Sequence, residues 1–350
     1  MMTYSNERKL RFGIIGAGVI MPSHIDGIRN NGGAAEAAAI CDIDIDKARN
    51  AAEKYDIPVA VADIDELLKR DDIDVVSICL PSGLHAEAAI AAAQAGKHVL
   101  CEKPIDVTLE KIDSMIAVCR QYGVKLGAVY QRRMMPAAIA AREAIAAGKL
   151  GRMVLGDAYL KYYRSPEYYK SAGWRATWEL DGGGALMNQG IHGLDLVQWM
   201  MGDIESVFAY AAPLVRDIPV EDTAVVAVKY KSGAFGVIQG ATSVNPAQDT
   251  RFELHGELGT IAFGDGGIAA WTYPGGEEDM PQLGTEAKQS PGSDPRSLSA
   301  DGHALLVRDL IESIREDREP AVSGEEARKA VALILAIYES ARTGKEVRLG

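Results

Sequence analysis

Lys103, in "HVLCEKPI", sits between a carboxylate and a proline, directly after an apolar run. A lysine in that setting is a candidate acid/base. Val99, Leu100 and Cys101 are brief and apolar, as a parallel core strand should be. Pro104 keeps the residue before it out of helical geometry, so Lys103 is expected to stay extended at the strand's carboxyl end. Ligands of open parallel sheets bind at that edge. A solvated surface charge would fit the position equally well. A second stretch, "DGGGALMNQGIHGLDLVQWMMG", sets Asn188, His192, Asp195 and Trp199 at i, i+4, i+7 and i+11. That spacing lines them along one face of an expected helix, while Met187, Ile191, Leu194 and Val197 fall elsewhere and can pack. A polar stripe of this kind can simply face solvent. The glycine run before it, which lets a ligand approach the backbone, favours a functional face.

The elements that must position these residues follow from hydrophobic patterning. Over residues 1–130 short apolar runs alternate with helical patterns, which predicts repeated βαβ units. "LRFGIIGAG", "AEAAAICD", "DVVSICLP", "KHVLCEKP" and "VKLGAVYQ" read as strands, and "LHAEAAIAAAQAG" as an amphipathic helix stopping at Gly96. Gly16 and Gly18, between a strand and a helix, give the tight turn and close backbone approach that a pyrophosphate needs. Met21 stands where a third Gly or Ala is usual, so the turn alone is a weak sign. Asp42 strengthens it. It ends the second strand, where a carboxylate accepts from adenosine ribose hydroxyls and repels a 2′-phosphate, which favours NAD over NADP.

Beyond residue 130 the pattern changes to a helix, a long strand "RMVLGDAYLKYY", and successive strands with turns over 205–273. This predicts a second, α+β domain over 131–350 with a large, mostly antiparallel open sheet. Residues 274–301, rich in Gly, Pro, Ser and Asp, read as a long loop, and two helical patterns close the chain. Just before the glycine run, Tyr159, Tyr162, Tyr163, Tyr168, Tyr169, Trp174 and Trp178 crowd together with Lys161, Arg164 and Arg175. Amphipathic rings beside arginines suit a polyhydroxylated ligand, although aromatics more often serve a core.

Composition excludes several classes. A net charge of −12 with no basic cluster disfavours nucleic acid or an anionic membrane as partner. No run of about 18 apolar residues predicts a membrane span, and "MMTYSNERKL" lacks a signal-peptide core, so a cytoplasmic protein is expected. Cys41, Cys79, Cys101 and Cys119 lie singly and read as reduced core thiols. Without HExxH or a Cys/His cluster, no metal is expected.

Taken together, "GIIGAG", "LPSGLHAE", "GKHVLCEKP", "YQRRMMP", "GGGALMNQGIHGLDL" and "IYESARTGKEVRL" resemble the glucose–fructose oxidoreductase/inositol dehydrogenase (Gfo/Idh/MocA) family, almost end to end. The resemblance implies a Rossmann domain of doubly wound α/β type, followed by an α+β domain whose open sheet commonly mediates oligomerisation, here a homodimer or homotetramer. It implies Lys103 and His192 as the catalytic pair. The family often has Asp where this chain has Asn188, which can hold hydrogen bonds but cannot take a proton. Gly16, Gly18, Val19, Ile20, Asp42, Pro81, Ser82, His85, Glu102 and Lys103 are the expected NAD contacts. Lys103, Arg133, Tyr163, Trp174, Arg175, Asn188 and His192 are the expected substrate contacts. The implied reaction passes hydride between a secondary hydroxyl of a sugar, glycoside or cyclitol and NAD. A base serves it by taking the hydroxyl proton, and burial beside a cationic nicotinamide would lower a lysine's pKa toward that task. Two other functions stay open: a glycosidase that oxidises its sugar transiently, and a non-catalytic NAD- or sugar-binding sensor.

Overall fold

The computed structural model describes residues 8–281 and 300–350. It divides into two compact units, one formed by the described parts of 1–131 and 299–328, the other by those of 132–298 and 329–350.

In the first unit the strands and helices alternate: β1 (Leu10–Ile15), α1 (Met21–Arg29), β2 (Ala35–Cys41), α2 (Ile45–Lys54), β3 (Val59–Val61), α3 (Ile64–Leu68), β4 (Val75–Ile78), α4 (His85–Gln94), β5 (His98–Cys101), α5 (Leu109–Gln121) and β6 (Leu126–Ala128). The strands form one parallel sheet in the order β3-β2-β1-β4-β5-β6. This is the doubly wound arrangement, with its switch point between β1 and β4. Their side chains are mostly buried, as covering on both faces requires. Side-chain caps start several helices: Asp44 accepts from Asp46 and Lys47 at α2, Asp63 from Asp65 at α3, and Thr108 from Lys111 at α5. β3 is the strand the pattern does not announce, since three half-buried residues carry little periodicity.

The second unit opens with α6 (Pro136–Ala146), β7 (Met153–Lys161) and α7 (Pro166–Lys170). A single π-helical turn, Ala185–Gly190, then runs straight into α8 (Ile191–Met201). Strands β8 (Ile204–Ala212), β9 (Thr223–Tyr230), β10 (Phe235–Ala241), β11 (Arg251–Gly256), β12 (Gly259–Gly264) and β13 (Gly267–Thr272) follow. After the short α9 (Gly276–Asp279) the chain runs through α10 (Ala300–Glu316), which belongs to the first unit, and α11 (Gly324–Thr343) to β14 (Val347–Arg348). The second sheet has eight strands, β13-β12-β11-β7-β10-β9-β8-β14, antiparallel except for the β7–β10 pair. α8 packs on one face of it. Leu160 of β7 lies so near Gly193 that a Cβ there would fall 2.3 Å from a Leu160 methyl.

Two expectations change. The stretch 131–350 does not form one unit, because α10 returns to the first: it lies against α1, where a Cβ on Gly27 would come within 3.2 Å of His303. Leu306, Val307, Leu310 and Ile311 of α10 are buried. The loop expected over 274–301 contains α9, and most of its remainder lies outside the described residues.

Candidate active site

The first unit contributes a cofactor cradle. Gly16 has φ +101°, and a Cβ there would sit 2.5 Å from the Cys79 carbonyl oxygen, so only glycine lets the β1 turn pass the end of β4. α1 begins five residues later with Pro22 in its first turn, and Val19 is 70% exposed beside that helix start. Asp42 accepts from Ala17 N at 2.8 Å and from Asp44 N at 3.0 Å, tying the end of β2 to the glycine turn. A carboxylate has about four acceptor positions, so lone pairs remain for a ribose diol. These residues fit a dinucleotide: the close turn, the helix N-terminus and the terminal carboxylate of β2 are all in place.

Two loops on the same sheet edge are pinned by buried side chains. Pro81 and Ser82 lead through a 3₁₀ turn (Ser82–Leu84) into α4. His85, 1% exposed, has Nδ1 2.7 Å from the Pro104 carbonyl and Nε2 2.9 Å from the Leu80 carbonyl. It therefore staples the loop after β4 to the loop after β5. Burial pushes its pKa down. Lys103 follows β5, half-buried, and its peptide bond to Pro104 is cis. Its backbone N–H donates to Glu102 Oε2 at 3.1 Å. Glu102 points into the protein, where its Oε1 lies 2.9 Å from His24 Nε2 and 3.4 Å from His303 Nε2. Burial alone would raise the Glu102 carboxyl, yet the hydrogen bonds from His24 and His303 hold it well below the usual carboxylate range.

The second unit holds its own polar cluster around the π turn. Glu221, buried between β8 and β9 in the chain, accepts from Gly184 N at 3.0 Å and Leu186 N at 2.8 Å, capping that turn. Tyr338 donates to the same carboxylate at 2.8 Å. The glycine run is shaped by these partners. A Cβ on Gly183 would fall 2.0 Å from the Tyr338 oxygen, and one on Gly184 2.0 Å from the Glu221 carbonyl. Here protein, rather than ligand, approaches the backbone closely. Burial raises the Glu221 carboxyl and the Tyr338 phenol.

Asn188 donates to Asp181 in a short contact and accepts from Gln189. Asp181, 2% exposed, also takes the Ala176 N–H at 2.8 Å. Gln189 joins the Tyr168 hydroxyl at 2.7 Å and the Arg164 guanidinium, and Arg175 reaches the same hydroxyl at 2.6 Å. His192 is buried on α8, one turn beyond Asn188. Because the first turn is π-helical, the even i, i+4, i+7 stripe is broken at its start.

The expected substrate residues separate into groups. Arg133 pairs with Asp195 through two bonds of 2.8 and 2.6 Å, both side chains 3% exposed, with the Trp199 ring 5.5 Å from its guanidinium carbon. Arg175 lies over Tyr168 and Trp174 at 4.3 and 4.7 Å. Tyr163 bridges to Ser243 under Arg216. The other aromatics do not share one surface. Tyr159 lies beside Arg251 of β11, Tyr162 is buried against Thr250, and Trp178 is exposed, edge-on to Tyr338. Strand alternation along β7 and its exit causes this scatter. Asp181 and Glu221 are the site residues that sequence reasoning missed.

All four cysteines are buried and free. Among the described residues two clusters bring metal-ligating atoms within 4.8 Å of one another: His24, Glu102 and His303, and Asp157, Glu253 and His255. No described helix is long and apolar enough to cross a membrane.

Comparison with known proteins decides the family. Residues 10–130 match the oxidoreductase family with NAD-binding Rossmann fold, and residues 138–262 match the GFO/IDH/MocA C-terminal domain. The chain belongs to the GFO/IDH/MocA family. It is an oxidoreductase with an NAD-binding Rossmann fold. Its relatives include the 1,5-anhydro-D-fructose reductase of Ensifer adhaerens, 29% identical over 97% of this chain and 98% of the reductase. The myo-inositol 2-dehydrogenase of Thermotoga maritima is also 29% identical, over 97% of this chain and 98% of its own. Among solved structures, the WlbA dehydrogenase of Bordetella pertussis in complex with NADH and UDP-GlcNAcA superposes with a TM-score of 0.87, at 34% identity, covering 98% of this chain and 99% of that one.

Proposed function

We propose that this oxidoreductase transfers hydride between a secondary hydroxyl of a sugar, glycoside or cyclitol and NAD, with Lys103 and His192 as its acid/base residues. The observation that carries the reading is the placing of Lys103. It stands at the carboxyl end of β5, on the sheet edge that carries the Gly16 turn and Asp42, with its backbone fixed by the Glu102 carboxylate. Bound NAD supplies the hydride acceptor. The Gly16–Gly18 turn and the start of α1 would hold its pyrophosphate, and Asp42 its adenosine ribose.

Within that frame Lys103 takes the hydroxyl proton, and His192 is the proposed second acid/base group. Asn188 does not transfer a proton. Anchored on Asp181 and Gln189, it orients, and Arg175 with Trp174 and Tyr163 offers donors and ring faces to a polyol. Polyhydroxylated compounds in the names of the relatives support this substrate class. We further propose self-association through the second sheet. On its exposed face the register aligns Tyr210 with Val225 and Gln239, and Phe235 is 58% exposed on the same sheet. The test of the reaction is NADH formation across a panel of sugars, glycosides and inositols. Stoichiometric reduction with at least one member is expected. Release of an aglycone without net NADH, or binding without turnover, would replace the reading.

A further inference from the structure

In a chain whose net charge is −12, one stretch of the second unit is basic. Lys161, Arg164, Lys170 and Arg175 fall within it, with Glu167 as the acidic residue among them. Arg132, Arg133 and Arg251 of the same unit each pair with a carboxylate, of Asp265, Asp195 and Glu253. Arg175 is held differently. Among the described residues its acceptors are two neutral hydroxyls: Nε donates to Ser171 Oγ at 3.0 Å, and Nη1 to the Tyr168 hydroxyl at 2.6 Å. Its guanidinium carbon lies 4.3 Å from the Tyr168 ring centroid and 4.7 Å from that of Trp174. The remaining N–H groups of the fork are left for another acceptor.

The surroundings fix this arginine and add to its charge. Tyr168 accepts from Arg175 and from Gln189 Nε2 at 2.7 Å, and donates to Asn188 Oδ1 at 3.4 Å. One hydroxyl thus joins Arg175 to Asn188, one turn before His192. A second guanidinium, of the buried Arg164, lies 5.7 Å from the same ring and donates to Gln189 Oε1 at 3.0 and 2.7 Å. Arg216, from the loop after β8, donates from Nε to the Arg164 carbonyl at 3.1 Å and lies 5.3 Å from the Tyr163 ring. Asp181, the carboxylate of this network, is engaged by Asn188 and the Ala176 N–H.

We propose that the polyhydroxylated substrate carries an oxygen anion, a carboxylate or a phosphate, and that Arg175 binds it. The inference rests on the reading of Asn188 and His192 as substrate-side residues. Hydroxyl and amide groups suffice for a neutral polyol, and Asn188, Gln189 and Tyr168 supply them. A guanidinium fork matches a two-oxygen anion, to which it donates two parallel, charge-assisted bonds. Stacking on Tyr168 and Trp174 orders the side chain beforehand, so less freedom is lost on binding. Arg164 and Arg216 add positive potential that draws an anion and repels none of its charge.

Phenylglyoxal modifies accessible guanidinium groups, so its rate at the Arg175 peptide, read by mass spectrometry, reports whether a ligand covers that side chain. The enzyme with NADH bound, which prevents turnover, is treated in D-glucose, D-glucuronate or D-glucose 6-phosphate at equal ionic strength. Glucuronate or the phosphate should protect Arg175 at concentrations about tenfold or more below those at which glucose does so. Protection by the first alone identifies a carboxylate, and by the second alone a phosphate ester. Calorimetric titration should give the same order. Arg175→Gln should bring the preferred acid and glucose to within about twofold, and Arg175→Lys, which keeps the charge and loses the fork, should lie between. Equal protection by all three, protection by glucose alone or by none, or an Arg175→Gln variant that keeps the preference overturns the proposal. Protection without any NADH formation on the polyol panel would remove the oxidation and leave this site standing. NADH formation from neutral sugars with Arg175 unprotected would do the reverse.

Discussion

His98 shows how a single buried side chain ties stability to pH. It opens β5, and its Nδ1 accepts the Lys125 N–H at 2.9 Å, which demands a neutral ring. Burial pushes its pKa down to about 4 from an ordinary 6.5. Between those values the unfolded chain binds a proton that the fold refuses. The contribution is therefore fully present above about pH 6.5 and is lost as pH falls toward about 4, by up to roughly 3 kcal/mol. His98→Asn keeps an acceptor for Lys125 and removes the titration, so urea denaturation across pH 4–7 should show a flatter decline than wild type. At this scale the sequence was legible where the backbone feature is local, as in the Gly16 turn and the cis bond after Lys103. Asp181 and Glu221 were not legible. Carboxylates are mostly exposed, so nothing local marks one as buried, and Glu221 finds Gly184 across 37 positions.

At the scale of elements, the pairing of α8 with the 3₁₀ turn Gln131–Met134 before α6 rests on Arg133 and Asp195, both buried. Replacing one partner leaves the other charge without compensation. Arg133→Met should cost about 3–5 kcal/mol in urea unfolding, and adding Asp195→Leu should recover most of it. Unchanged stability with only a raised KM would instead return Arg133 to the substrate. The parallel strands and the long helices were readable because their apolar runs are strong and their caps are local. The π turn was not, since it depends on Glu221 capping Gly184 and Leu186 from elsewhere in the chain. The return of α10 to α1 was not readable either: an amphipathic helix states which face it buries, and not against what.

For the whole molecule, the doubly wound unit, the open second sheet and the family were all legible, because motif spacing and strand patterning agree with one another. The exposed row Tyr210, Val225 and Gln239 belongs to this scale, since only another surface can cover it. Val225→Lys should lower the sedimentation coefficient to that of a monomer while leaving the circular dichroism spectrum intact. A wild-type protein that already sediments as a monomer would remove the assembly proposal. The central claim, that Lys103 is the base of an NAD-dependent oxidation, is tested most directly by Lys103→Ala. NAD binding is followed by titration, and kcat is measured on whichever polyol the panel identifies. A kcat lower by roughly a hundredfold or more, with NAD affinity nearly unchanged, is the expected result, because Gly16, Gly18 and Asp42 are untouched. A variant that binds NAD and turns over at the wild-type rate would contradict the account.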